Sequence, residues 1–303
     1  MACFMWTGRR KSMTNPKKKN NREILCAFFG SGAESGDALA QLQRLGLEPA
    51  LVIRNKELPP EIYNTEWDVF VVASYGKILP KAVLDIPKHG CLNIHPSLLP
   101  KFRGPSPVLS AILGDERKTG VTIMQMNEEM DTGPIVAQAS IEIDEEEWPQ
   151  KGSLLTTMLF TEGANLLVEI MPQWIAGGIK PEPQNNSEAT YTRKFTDEDA
   201  RIDPRGDARA QFLKIMAFDK NPRAYFLDSR NRRIIVTDAE IKADKLEILK
   251  VIPEGKKEMP YAERAFALRR AMRARVPRTR GRRLHACSLP TPPPYTAPGP
   301  PQP

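Results

Sequence analysis

One stretch constrains this 303-residue chain more than any other: Gly90–Gly133, GCLNIHPSLLPKFRGPSPVLSAILGDERKTGVTIMQMNEEMDTG. It opens as an apolar run ending in Asn93-Ile94-His95. Side chains alternate faces along a strand, so the Asn93 amide and the His95 imidazole project to the same side. Pro96 has no N–H to give to a ladder, and Ser97-Leu98-Leu99-Pro100 then reads as a short loop closed by a second proline. A second strand-like run, Val121–Met126, leads into the turn Met130-Asp131-Thr132-Gly133. An amide, an imidazole and a carboxylate are therefore expected at or just past the ends of two strands. In open α/β sheets that edge is where ligands bind.

Around this stretch the chain alternates short apolar runs with longer amphipathic ones. Ile24–Phe29 reads as a strand, followed by Gly30-Ser31-Gly32 and a helix from about Ser35 to Leu45, with Ala38, Leu39, Leu42 and Leu45 at helical spacing. Gly30, Gly32 and Gly36 imitate a dinucleotide fingerprint. The third glycine comes one place late, however, and no ribose-binding acid closes the next strand, Ala50–Ile53, so a tight strand-to-helix turn is the better reading. Asp68–Ala73 and Pro134–Ile143 read as further strands, and Asp144–Glu147 as an acidic turn. Ser153–Ile175 reads as a long amphipathic helix ended by Gly177-Gly178. A polar linker then runs through Asn185 and Asn186, where a domain boundary is expected.

Several motifs stand in fixed order: Asn93-x-His95, Ser97-Leu98-Leu99-Pro100, Arg103-Gly104-Pro105-Ser106-Pro107, Thr119-Gly120-Val121-Thr122-Ile123-Met124 and Asp131-Thr132-Gly133. In this order they resemble the folate-dependent formyltransferases, most closely the methionyl-tRNA branch. The glycinamide ribonucleotide branch shares the Asn-x-His-Pro-Ser-Leu-Leu-Pro segment and is less similar beyond it. The resemblance covers about residues 22–262, with gaps. It implies an α/β fold: a Rossmann-like formyltransferase domain with a mostly parallel sheet over 22–180, then a linker and a reduced OB-like β-barrel domain over 181–262. Anchors for the second part are Tyr191-Thr192-Arg193-Lys194, Ala200-Arg201-Ile202-Asp203 and Asn221-Pro222-x-Ala224-Tyr225, with strands at Arg233–Asp238 and Lys245–Val251. Residues 1–21 read as a disordered basic leader. Residues 263–303 read as a basic helix, begun at Tyr261, and an Arg/Pro-rich disordered tail. One departure stands out: the long basic insertion usual after Arg54, which helps the tRNA enzymes grip the acceptor arm, is replaced by a short connection, Asn55–Glu66.

The resemblance also implies a chemistry. A formyl group would pass from 10-formyltetrahydrofolate to the amino group of initiator methionyl-tRNA, by direct attack through a tetrahedral intermediate. Donors aimed at the oxyanion of such a step are worth about 3–4 kcal/mol each. Asn93 would supply a neutral amide donor, and a protonated His95 would supply a donor with charge. Asp131 would hold His95 cationic or relay protons through water. Ser97, Leu98, Leu99 and Pro100 would offer backbone N–H and C=O groups to the pterin edge of the folate. Arg103 would either face the acceptor substrate or be a solvated charge. No covalent intermediate and no metal are required. The competing readings are the same chemistry on a small amine such as an amino-sugar nucleotide, a non-catalytic folate-binding relative, and a hydrolase of the formyl-folate.

Charge bears on the acceptor. Residues 1–22 carry seven Lys/Arg and no acid, and residues 264–303 carry nine Arg and no acid, which leaves 28 basic against 37 acidic side chains between them. Phosphate contacts normally dominate nucleic-acid affinity, so a tRNA partner would need a local basic patch or the chain ends. Cys3, Cys26, Cys91 and Cys287 form no CxxC pair, which gives no metal framework and suits a reducing cytoplasm. No apolar run approaches a membrane span and no secretory core follows the basic start. The expectation is a cytoplasmic monomer with a folate donor and a tRNA acceptor as partners, and no membrane partner.

Overall fold

The computed structural model describes residues 24–55 and 57–262. The leader expected over 1–21 and the basic helix and tail expected over 263–303 lie outside the described residues. Apolar runs dictate the first sheet. Its strands are β1 (Cys26–Phe29), β2 (Leu51–Ile53), β3 (Val69–Val72), β4 (Cys91–His95), β5 (Lys118–Gln125) and β6 (Ile135–Glu142). Between and after them come α1 (Ala33–Arg44), α2 (Glu61–Asn64), α3 (Lys81–Leu84), α4 (Pro107–Leu113) and α5 (Gly152–Ile175). Every residue of β1 and β3 is buried, as a parallel sheet covered on both faces requires. The order across the sheet is β2-β1-β3-β4-β5-β6, parallel through β4 and antiparallel at β5 and β6. The mostly parallel, Rossmann-like sheet is therefore present.

Strand alternation sorts the core into two layers. Phe28, Val71, Leu92 and Ile94 pack with Leu39 and Leu42 of α1 and with Leu167 and Met171 of α5. Phe29, Phe70 and Val72 face the other way, onto Ile62, Trp67 and Val83. By length and mean hydropathy α5 could pass for a membrane span, which the sequence alone did not suggest. Its apolarity is used inside the fold: Leu155, Leu159, Ala164 and Leu167 are fully buried. Gly163 lets the helix lie on the sheet, because a Cβ there would meet Val121 Cγ2 at 2.8 Å.

The turn from β1 into α1 is tight, as expected. The Ser31 and Gly32 N–H groups both donate to the Ser74 carbonyl, at 3.2 and 3.3 Å. Donors that a phosphate would need are thus already used by the protein.

The remaining described chain forms α6 (Ala208–Ala217), β7 (Tyr225–Leu227), β8 (Arg233–Lys242), β9 (Lys245–Pro253) and β10 (Met259–Pro260). The strands make an antiparallel sheet in the order β10-β9-β8-β7. The reduced C-terminal region thus takes the form of a four-stranded meander with α6 packed on β8 and β9. Helix α6 is additional to the elements expected here. Asp207, whose side chain accepts from the Ala210 N–H, is the cap that marked it. Both sheets belong to one compact unit that ends at Pro260.

Candidate active site

Asn93 and His95 occupy one face of β4, two residues apart, as strand alternation requires. Asn93 pairs in register with Val72, so it lies beside the end of β3, where the loop Ser74–Pro80 leaves the sheet. Its side chain is half-buried, and its amide makes no hydrogen bond among the described residues. His95 is buried, at 4% exposure. Its Nε2 lies 3.1 Å from the Phe102 carbonyl oxygen, and its Nδ1 lies 3.7 Å from Asp131 Oδ1.

Asp131 reaches this point by a route that the order of strands along the chain does not show. Strand β5 is antiparallel to β4, with Gln125 opposite Leu92 and Thr122 opposite His95. The end of β5 is therefore about 10 Å from the level of His95, at roughly 3.3 Å per residue. The loop Met126–Gly133 folds back over that distance. It is closed at its root by Gln125 N–H on the Pro134 carbonyl, 2.9 Å, and by Met126 N–H on the Cys91 carbonyl, 2.8 Å. Gly133 is needed for the closure, since a Cβ there would overlap the Gln125 carbonyl oxygen. Asp131 itself sits at φ +56° and accepts the Gly104 N–H on Oδ2 at 2.7 Å. The acid is not carried by its own strand to the edge shared by Asn93 and His95. It is delivered there by a hairpin loop.

Ser97, Leu98, Leu99 and Pro100 were expected to offer free backbone groups, and the structure uses nearly all of them internally. Ser97 N–H donates to the His95 carbonyl at 2.9 Å, Lys101 N–H to Leu98 O at 3.1 Å, and Thr190 N–H to Pro100 O at 3.3 Å. Thr122 Oγ1 donates to Ser97 O at 2.7 Å and accepts the Leu99 N–H at 3.1 Å, while Gln138 Nε2 donates to Leu99 O at 2.8 Å. Thr122 and Gln138 face each other in the β5–β6 register. Gly120 of β5 lies beneath Leu98, whose Cγ a Cβ would meet at 3.1 Å. What the segment still presents is the Leu98 side chain and N–H.

Arg103 neither faces outward nor is solvated. It is 1% exposed, and its guanidinium donates to Gln184 Oε1, Asn186 Oδ1 and the Tyr191 hydroxyl.

Burial pushes His95 below its ordinary value of 6.5, against the opposing pull of Asp131 and the Phe102 carbonyl. Burial therefore favours the neutral ring, while Asp131 and the Phe102 carbonyl favour the protonated one. The bond to Phe102 assigns its proton to Nε2, which leaves Nδ1 as a base facing Asp131. A histidine held neutral by the fold stabilises it fully above pH 6.5, and that contribution is lost as pH falls through 6.5 toward the depressed value. Denaturant midpoints between about pH 7 and 5 should accordingly fall further for wild type than for His95→Gln. Parallel curves for the two proteins would show that burial of the ring is not what sets its charge. The nearby Cys91 thiol is pushed up to about 12, mainly by burial, and is inert at neutral pH.

Residues 28–170 match the family model described as formyl transferase. A methionyl-tRNA formyltransferase of Thermodesulfovibrio yellowstonii is 38% identical over 213 residues, covering 64% of this chain and 68% of the relative. One from Chloroflexus aggregans is 46% identical over 173 residues, covering 57% of this chain and 55% of the relative. The chain thus spans about half the length of relatives of that second kind. Among solved structures, HypX from Aquifex aeolicus in complex with tetrahydrofolic acid shares the fold. Its TM-score is 0.61 at 19% identity, covering 80% of this chain and 47% of that one.

Proposed function

This chain belongs to the formyl transferase family, and on that premise we propose that it moves a formyl group from 10-formyltetrahydrofolate to the amino group of initiator methionyl-tRNA. The observation that carries the reading is the unpartnered Asn93 amide standing beside the His95–Asp131 pair at the end of the parallel strands. A preorganised donor without a partner is what a developing oxyanion needs. Neutral His95 takes the proton of the attacking amine at Nδ1, and Asp131, 3.7 Å away, stabilises the imidazolium that forms. The same ring then has a proton to give to the departing folate nitrogen. The folate edge lies along Leu98 and the neighbouring loop Ser74–Pro80, with Ser97, Leu99 and Pro100 serving as the braced wall behind it. In this reading residues 22–180 form the catalytic domain and 181–262 the linker and smaller domain, working as a cytoplasmic monomer.

One observation favours a second acceptor. Between β2 and β3 the chain carries only the four-residue α2 among the described residues, and the residues between 22 and 264 carry an excess of acids, so a small amine is the alternative. Formylation of charged initiator methionyl-tRNA at low and at physiological salt separates them. The tRNA reading expects turnover that falls by at least 10-fold between about 50 and 200 mM salt and disappears in His95→Ala. Turnover on a small amine alone, with no salt slope, would replace it.

A further inference from the structure

Arg103 is a buried cation whose guanidinium has no carboxylate partner among the described residues. Taking such a charge out of water is costly unless every donor is met. Here neutral oxygens meet the guanidinium at all three nitrogens: Gln184 Oε1 accepts from Nε and Nη2 at 3.0 and 2.8 Å, Asn186 Oδ1 from Nη2 at 2.8 Å, and the Tyr191 hydroxyl from Nη1 at 3.2 Å. The main chain of Arg103 is held by the same segment, its N–H on the Thr190 carbonyl at 2.8 Å and its C=O on the Thr192 N–H at 2.7 Å.

What matters is which groups flank this anchored residue. The carbonyl of Phe102, on one side, accepts from His95 Nε2 at 3.1 Å. The N–H of Gly104, on the other, donates to Asp131 Oδ2 at 2.7 Å. Both neighbours have backbones that need external support: Phe102 sits at φ +60° and Gly104 at φ +114°. Phe102 is supported by its N–H on Thr190 Oγ1 at 2.7 Å. At Gly104 a Cβ would meet the Thr192 carbonyl at 2.7 Å. Gln184 closes the circuit. While its oxygen holds Arg103, its Nε2 donates to the Asp131 and Gly133 carbonyls at 2.9 and 2.7 Å. Asp131 is thus gripped at its carboxylate from one side and at its backbone from the other.

We infer that Arg103 and Gln184 are positioning residues, a clamp by which the 184–192 segment fixes His95 and Asp131 against each other. The segment that joins the two sheets is then part of the site's scaffold and not a passive tether. The kinetic consequence rests on the formyl-transfer reading, but the geometric one does not.

Gln184→Leu removes the clamp at similar volume, and two readouts follow it. The first is the 15N shifts of the His95 ring, which report its tautomer and its bond to Phe102. With three histidines in the chain, the signal is assignable with His95→Gln as reference. Asp131 is the charged group that acts on this ring, and the Phe102 carbonyl is its other partner. Loss of the clamp is therefore expected to alter those shifts and move any titration to lower pH. The second readout is kinetic: kcat should fall by about 10²-fold with KM for the folate donor little changed, as misplacement by about 1 Å would do. Gln184→Glu covers the case in which the leucine variant fails to fold. It keeps an acceptor for Arg103, now as a carboxylate paired with the guanidinium, gives up the two donations to Asp131 and Gly133, and is expected to stay folded at a lowered unfolding midpoint and to lose kcat. A folded variant with wild-type His95 shifts and wild-type kcat overturns the clamp. If the wild-type protein transfers no formyl group, the functional reading fails, and the ring shifts alone still decide whether the clamp exists.

Discussion

Asn93→Ala is expected to slow formyl transfer by about 10²- to 10³-fold while leaving stability within about 1 kcal/mol of wild type. The two halves of this result have one cause. The Asn93 amide has no partner among the described residues in the resting fold, so truncating it breaks no hydrogen bond and orphans no neighbour. Its neighbours on the strand, Leu92 and Ile94, point to the opposite face and keep the core contacts. The side chain is therefore held in readiness by its strand, and its worth is realised only when negative charge develops opposite it. His95→Ala would be a poorer probe, because it also empties a buried site and frees the Phe102 carbonyl. Single-turnover rates with saturating folate donor, paired with thermal melts, give both quantities. A loss below about 10-fold would remove Asn93 from the oxyanion role. A loss of stability of several kcal/mol would show that the amide is structural after all.

The sequence carried the strands, the long helix and the pairing of Asn93 with His95, because each follows from local periodicity. It did not carry the direction of β5. An apolar run such as Val121–Met126 reads the same in either orientation, yet antiparallel pairing puts its end at the level of Leu92 and forces Asp131 to return along a loop. Nor could it show how Ser97–Pro100 spends its backbone groups, since the partners Thr122, Gln138 and Thr190 are distant in the chain and declare themselves only in register. Arg103 is the sharpest case. As a single arginine in a loop it reads as a charge for solvent or substrate, and its acceptors lie 81 to 88 residues further on. The balance of forces on His95 is hidden for a related reason. The Asp131 partner is visible in the motif, but the burial that opposes it is not. Helix α6 is legible in the sequence from Asp207 and the apolar positions after it, although it is no part of the motif pattern in that segment.

The motif Asp131-Thr132-Gly133 ends in a glycine whose replacement is expected to cost more than any other single change considered. Gly133→Ala should lose about 3–5 kcal/mol of stability, and the protein that still folds should transfer formyl groups no better than Asp131→Ala. The reason is steric rather than conformational, for Gly133 does not have a positive φ. Its Cβ would overlap the Gln125 carbonyl oxygen and press on the Gln125 carbonyl carbon at 3.0 Å, both backbone atoms that no rotamer change can move aside. Relief requires opening the hairpin at its root, where Gln125 N–H meets the Pro134 carbonyl at 2.9 Å. It also pulls the Gly133 carbonyl from Gln184 Nε2. Gly46 supplies the contrast: at φ +86° with open space around its missing Cβ, its alanine variant should cost only about 1 kcal/mol. Urea unfolding of the two variants measures the difference directly, and equal midpoints would mean that the hairpin yields easily. In that event the approach of Asp131 to His95 could not depend on a closed loop root, and the carboxylate would have to be held by the Gly104 N–H alone.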